Sequence, residues 1–108
     1  MKTRIALMLA SAWLISMPAA HAVDMAKGEA LAKANNCLGC HAVDKKLVGP
    51  SYQDVAKKYK GDREAEAKLI KKVKEGGKGV WGPIPMPPNS PKVNDADIKT
   101  LVEWVLAH

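Results

Sequence analysis

The chain has 108 residues, no phenylalanine and a formal net charge of +6. A chain of this length makes one domain with a modest core, which often depends on a staple or a cofactor. The mildly basic charge suits an acidic patch on a protein partner better than it suits nucleic acid.

The first 22 residues have the features of a secretory signal peptide. A positively charged start is followed by the uncharged apolar run 5–17, and Ala20-His21-Ala22 is a small-x-small cleavage site. A membrane anchor is the alternative interpretation, but the run is shorter than the roughly 20 residues that a spanning helix needs. We therefore expect cleavage after Ala22 and export to the periplasm. Residues 23–108 would form one soluble domain with a formal charge of +4, since two basic residues leave with the leader.

Residues 24–35 predict the first helix. Asp24 is placed to cap its N-terminus, and Ala30, Leu31 and Ala34 would form its apolar face. Two asparagines then end the helix and lead directly into the first cysteine.

The pentapeptide Cys37-Leu38-Gly39-Cys40-His41 is the attachment signature of a c-type haem. In that chemistry Cys37 and Cys40 each form a thioether with one vinyl group, and His41 binds iron through Nε2. Three alternatives are weaker. A redox dithiol is disfavoured because the sequence shows no βαβ pattern around it. A zinc site is disfavoured because the chain has no second pair of cysteines, and a disulfide would close too short a loop to stabilise the chain much. We therefore predict one covalently attached haem c per chain, which would also complete the small core.

Two further helices are predicted after a loop over residues 42–50. Ser51 and Asp54 form an S-x-x-D cap for a short helix that Gly61 stops. Asp62 would cap a third helix, which runs to Glu75. Its inward stripe would consist of Ala65, Leu69, Ile70 and Val73.

The segment 78–91 carries five prolines and predicts a stiff loop, with Met86 in its middle. Elimination favours Met86 as the second axial ligand of a haem iron. His108 lies at a terminus expected to fray, and Met25 lies too early in the first helix to reach the opposite haem face.

The last predicted helix spans residues 94–108 and is the clearest. Asn94 caps it, and its broad apolar face has Trp104 toward one flank. No segment shows strand alternation over a useful length. The predicted fold class is therefore all-α, with four helices around one cofactor and the first and last helices packed on each other.

Several stretches together resemble the small bacterial class I cytochromes c of the c-551/c-552 type. They are the haem motif, Val48-Gly49-Pro50, the sequence GVWGPIPMPPN over residues 79–89, and a final helix that contains Glu103-Trp104-Val105-Leu106. The resemblance covers nearly all of residues 23–108. It implies the class I cytochrome c fold and an electron carrier without an enzymatic activity.

The resemblance also implies roles for individual residues. His41 and Met86 would ligate iron, and the Pro50 carbonyl would accept a hydrogen bond from His41 Nδ1–H. The indole N–H of Trp81 would reach a haem propionate, and Lys72 stands where the family often has a basic residue near a propionate. The remaining site residue is Asn89, which would lie beside the methionine sulfur and tune it by hydrogen bonding.

The expected partners are transient redox proteins, met by a monomer at an exposed haem edge. The donor would be a protein such as a membrane cytochrome complex, and the acceptor a terminal oxidase, a nitrite reductase or a cytochrome peroxidase. Two alternatives remain open. A small haem peroxidase or gas-binding protein would require Met86 to be absent from iron or labile, and a haem domain could instead dock permanently in a larger complex.

Overall fold

Four helices make up the regular structure of the residues that the structure describes. The structure is a computed structural model that describes Ser11 and residues 22–108. The predicted leader therefore lies outside the described residues, apart from Ser11 and Ala22. The helices are α1 (Met25–Ala34), α2 (Tyr52–Lys58), α3 (Ala65–Glu75) and α4 (Asp95–Leu106), with a 3₁₀ turn at Cys37–Gly39. Within the described residues the only β-pairing is an isolated bridge between Gly77 and Met86.

Helix α4 is the centre of the core and contacts all three other helices. The side chain of Asn94 accepts a hydrogen bond from the Asp97 backbone N–H at 2.8 Å, as its predicted capping role requires. Trp104, predicted toward the flank of the apolar face, is only 3% exposed, so the buried surface of α4 extends as far as this flank. The other buried residues of α4 are Ile98, Leu101 and Val102.

Helix α1 packs on α4, as predicted, but through a different face. Asp24 caps it by accepting from the Lys27 backbone N–H at 2.9 Å. Of the predicted apolar face, Leu31 does pack against the core, but Ala30 and Ala34 are exposed. The buried positions of α1 are instead Gly28 and Ala32. The reason is steric: a Cβ on Gly28 would collide with the side chain of Trp104, so the indole occupies the space that only a glycine leaves.

Helices α2 and α3 are short and cover the remaining sides of α4. Ser51 Oγ accepts from the Asp54 backbone N–H at 3.0 Å, which is the predicted cap of α2. Helix α3 begins at Ala65, so the predicted cap at Asp62 was wrong. The Asp62 carboxylate instead accepts from the Glu64 backbone N–H within the preceding turn. The partly buried residues of the predicted stripe, packed against the core, are Leu69, Ile70 and Val73.

None of the helices within residues 22–108 is long and apolar enough to cross a membrane.

Candidate haem site

The two cysteines and the histidine lie on one tight turn that follows α1. Asn36 adopts a left-handed conformation with φ of +58°, which reverses the chain after the helix. The carbonyl of Cys37 then accepts from the backbone N–H groups of both Cys40 (3.2 Å) and His41 (2.9 Å). A single carbonyl therefore holds the backbone of all three motif residues in one compact unit.

Both thiols of this turn are free and half-buried, and no disulfide joins them. Burial raises the pKa of the Cys37 thiol above its ordinary value, and the neighbouring Cys40 acts in the same direction. Neither cysteine is fully buried, and Cys40 directly precedes His41 in the sequence.

The imidazole of His41 is oriented by a hydrogen bond on one ring nitrogen. Its Nδ1 lies 2.7 Å from the carbonyl oxygen of Pro50. Because a carbonyl can only accept, Nδ1 carries the proton and Nε2 keeps its lone pair. Gly49 lies against the ring, and a Cβ there would collide with it. The Gly49 backbone N–H also donates to the Cys40 carbonyl at 2.7 Å, which ties this loop to the motif.

A row of aromatic rings supports the histidine from the core. His41 and Tyr52 are stacked with ring centroids 5.1 Å apart, and Tyr52 meets Trp104 edge to face at 5.1 Å. Burial raises the pKa of the Tyr52 phenol. Sequence reasoning missed this role of Tyr52. The one feature of the sequence that could have indicated this contact is the place of Tyr52 two residues after Pro50, at the start of a capped helix.

Met86 lies half-buried in the proline-rich loop, which is irregular as predicted. Its backbone N–H donates to the Gly77 carbonyl at 2.8 Å, and its carbonyl accepts from the Gly77 N–H at 3.0 Å. Ser90 N–H donates to the Lys74 carbonyl at 3.2 Å. The loop is thus fastened to the C-terminal end of α3 by main-chain hydrogen bonds.

The other three predicted site residues lie on or beside this loop. Trp81 is 41% exposed, and the ammonium of Lys58 stands 5.4 Å from its ring centroid. The ammonium of Lys72 lies beside Gly77, 2.8 Å from where a Cβ would be. Asn89 Nδ2 donates to the carbonyls of Val73 (3.1 Å) and Pro87 (3.3 Å). Its predicted contact with the methionine sulfur stays a prediction.

The residues present fit a haem. A c-type haem needs two free thiols, an imidazole with a free Nε2 and an apolar rim, and the turn supplies the first three groups. The rim is provided by large side chains that the fold leaves open on the two loops carrying Pro50 and Met86. We call these residues the apolar rim: Leu47, Val48, Val80, Trp81 and Ile84.

The cytochrome c family model matches residues 25–108 of the chain. The chain is 53% identical over 79 residues to cytochrome c-551 of Pseudomonas aeruginosa, covering 73% of this chain and 74% of that protein. It is 51% identical over 79 residues to cytochrome c-552 of Hydrogenobacter thermophilus, covering 73% of this chain and 79% of that protein. The crystal structure of wild-type Nitrosomonas europaea cytochrome c552 is 51% identical with a TM-score of 0.70, covering 73% of this chain and 96% of that one.

The chain belongs to the cytochrome c family. Cytochromes c are electron-transfer proteins, and the family implies a covalently attached haem c, for which Cys37 and Cys40 are the two cysteines present. The identity with c-551 and c-552 relatives and the structural likeness confirm the predicted type and the predicted all-α, class I cytochrome c fold.

Proposed function

We propose that this protein is a soluble, periplasmic electron carrier that exchanges one electron at a time through a haem c ligated by His41 and Met86. The observation that carries the proposal is the 2.7 Å hydrogen bond from His41 Nδ1–H to the Pro50 carbonyl. It fixes the ring, leaves Nε2 for iron, and raises the basicity of the imidazole as a ligand. The periplasmic location rests on the predicted leader, residues 1–22.

Cys37 and Cys40 would hold the haem through one thioether each. Both thiols are free and lie on the turn whose backbone also places His41. Covalent attachment would therefore fix the haem at the same residues that supply its proximal ligand. This arrangement would hold the imidazole close to the haem.

Met86 is the residue we propose as the second ligand. Met25 is the other methionine in residues 22–108, and it lies 42% exposed in the first turn of α1. When bound, a haem with both axial positions taken supplies one-electron exchange between Fe(II) and Fe(III) and leaves no position open for oxygen or peroxide. A thioether ligand also favours the reduced state, so we expect a positive reduction potential.

Three further residues would contact or position the haem from the Met86 side. Trp81 would donate its indole N–H to a propionate. Lys72 would offer a positive charge, and its ammonium lies beside Gly77, the residue whose backbone pairs with that of Met86. Asn89 already donates to two carbonyls, so tuning of the methionine sulfur would require its amide to be shared. Asn89 would in either case hold the loop in place.

The apolar rim is the surface that we propose for transient docking. Ile84 is 60% exposed and Val48 is 49% exposed. Pro83, directly before Ile84, and Leu38, within the haem motif, are the other candidates for this surface. Exposed lysines beside the rim would steer an acidic patch of a donor such as a membrane cytochrome complex, or of an acceptor such as a terminal oxidase, nitrite reductase or cytochrome peroxidase. Raising salt should therefore slow electron exchange. We propose a monomer, which size-exclusion chromatography of the holoprotein would check.

The proposed function is tested most directly at the second axial ligand, Met86. The oxidised holoprotein should show a methionine-to-iron charge-transfer band, and Met86→Ala should abolish it. The same variant should lower the reduction potential by a sizeable part of the roughly 0.8 V range that axial ligands span. Met25→Ala is the matched control, because it removes an exposed methionine, and it should leave both quantities unchanged.

Two results would contradict the proposal. If Met86→Ala kept the band and the potential, another residue would be the ligand. If the unaltered reduced protein were high-spin or bound carbon monoxide rapidly, the site would have an open position. A peroxidase or gas-binding function would then be favoured.

A further inference from the structure

The end of α3 meets the Met86 loop through paired main-chain hydrogen bonds. Gly77 and Met86 exchange two N–H···O bonds of 2.8 and 3.0 Å, and Asn89 N–H donates to the Val73 carbonyl at 3.0 Å. The Val73 carbonyl belongs to the last turn of α3, where helix carbonyls lack helical partners. The loop therefore takes the place of the next helical turn.

Gly76 lies where the loop passes closest to this helix end. It has a φ of +71°, a conformation that side chains disfavour. A Cβ at this position would collide with the carbonyl oxygen of Met86 and would lie only 2.9 Å from the nitrogen of Pro88. All the near atoms are main-chain atoms of the loop, and none of them can move without moving the loop.

We propose that Gly76 is a positioning residue for Met86. Because it has no side chain, it lets the backbone of Met86 lie against the end of α3, and this contact sets how far the methionine side chain extends toward iron. The inference rests on the proposed ligation by His41 and Met86. It adds a residue that touches neither haem nor iron but controls the ligand through the position of its main chain.

Two other glycines provide the comparison that the test needs. Gly61 also has a positive φ, +80°, but a Cβ there would have no atom within 4 Å. Gly61→Ala therefore adds the same kind of backbone strain without a collision. Gly77 has a φ of +136°, and its Cβ would meet only the Lys72 ammonium at 2.8 Å, the end of a flexible side chain. Gly77→Ala should therefore strain the same bridge through its backbone conformation, without a collision with main-chain atoms of the loop.

The experiment compares oxidised holoproteins during denaturation by guanidinium chloride. The charge-transfer band reports methionine ligation, circular dichroism reports the helices, and the reduction potential is measured in buffer. Gly61→Ala should shift the loss of both signals together and leave the potential unchanged. Gly76→Ala should lose the band at a lower denaturant concentration than the helices. Its methionine-dissociated fraction in buffer should rise by about tenfold and its potential should fall.

The outcomes separate this inference from the proposed function. A wild-type protein without the band would overturn the proposed ligation, and the inference with it. If the wild type has the band and Gly76→Ala behaves like Gly61→Ala, only the inference is overturned. If Gly76→Ala does not fold, Gly77→Ala decides. Loss of its band before its helices supports the inference, whereas behaviour equal to that of Gly61→Ala overturns it.

Discussion

In the proposed haem site, the residues around His41 (the histidine side) and those around Met86 (the methionine side) are held in place by different kinds of contact. The ring of His41 stacks on Tyr52, and Tyr52 contacts Trp104 edge to face. Trp104 is a buried residue of α4 at its interface with α1. Met86 instead lies in a loop that is fastened by main-chain hydrogen bonds to the end of α3. One side depends on the volume of buried side chains and the other on the absence of a side chain at Gly76.

This difference predicts how the two proposed ligands respond to denaturing conditions. Packing in the α1–α4 core is lost only when the domain unfolds, so the histidine side should share the global stability. A loop with exposed residues and few buried contacts can open locally at a lower free energy. If both residues ligate iron as proposed, we expect Met86 to dissociate before the helices unfold, whereas His41 should stay bound until they do.

Removing the indole of Trp104 should have the largest effect. Trp104→Ala leaves a cavity at the meeting point of α1, α4 and Tyr52, and such truncations cost about 3–5 kcal/mol. Denaturation of the holoprotein, followed by circular dichroism, measures this loss. Val80→Ala truncates a side chain that is 51% exposed and should cost far less. A loss below about 1 kcal/mol for Trp104→Ala would mean that the histidine side does not depend on this packing.

Filling the space at Gly28 should disturb the same interface from the other helix. Gly28→Ala places a methyl group where the Trp104 side chain lies, and overpacking of this kind costs about 1–3 kcal/mol. Without the collision, an alanine within a helix would instead stabilise the protein slightly. The sign of the change in unfolding free energy therefore decides whether the indole is as tightly held as the structure indicates. The charge-transfer band in buffer should be unaffected.

The methionine side can be tested without touching its glycines. The Lys58 ammonium over Trp81 joins α2 to the loop, and an exposed contact of this kind contributes about 0.5–1 kcal/mol. Lys58→Met should therefore lower the denaturant midpoint of the band and leave the helix midpoint nearly unchanged. Lys57→Met, on the adjacent residue, makes the same change of charge and is the matched control. Equal effects of the two variants would indicate that charge alone, and not the ring contact, is responsible.

How far the sequence predicts this molecule depends on the distance between the residues involved. The caps at Asp24, Ser51 and Asn94 were predicted, because each is a contact between a side chain and a backbone N–H three residues later. The irregular loop around Met86 was predicted because its prolines act locally. The His41 to Pro50 hydrogen bond came from family resemblance and not from the residues alone.

What the sequence could not indicate were contacts between distant segments. The α1 face was assigned wrongly because the burial of Gly28 depends on Trp104, which lies far along the chain. The role of Gly76 depends in the same way on where the Met86 loop returns to α3. Asp62 was assigned as a helix cap, but its carboxylate is used by the preceding turn and by Lys68. In each case the local sequence is compatible with several structures, and contacts in the folded protein determine which one forms.

The smallest change in stability should come from substitution of Asp62, which lies apart from both sides of the proposed haem site. The Glu64 backbone N–H, and then the Lys68 ammonium 3.0 Å away, hold the pKa of this carboxyl below its ordinary value. A carboxyl whose pKa is lower in the folded state stabilises the protein above its unfolded pKa, about 4, and loses that contribution as the pH falls through the folded value.

Asp62→Asn should therefore be slightly less stable than wild type near neutral pH. The difference should disappear well below pH 4, because both side chains are then uncharged. Since both partners of this ion pair are partly exposed to solvent, the change should be close to the limit of measurement, and neither the band nor the potential should move. A clear change in the band or the potential would mean that the turn before α3 is coupled to the proposed iron ligands. The contrast between the histidine side and the methionine side would then be incomplete.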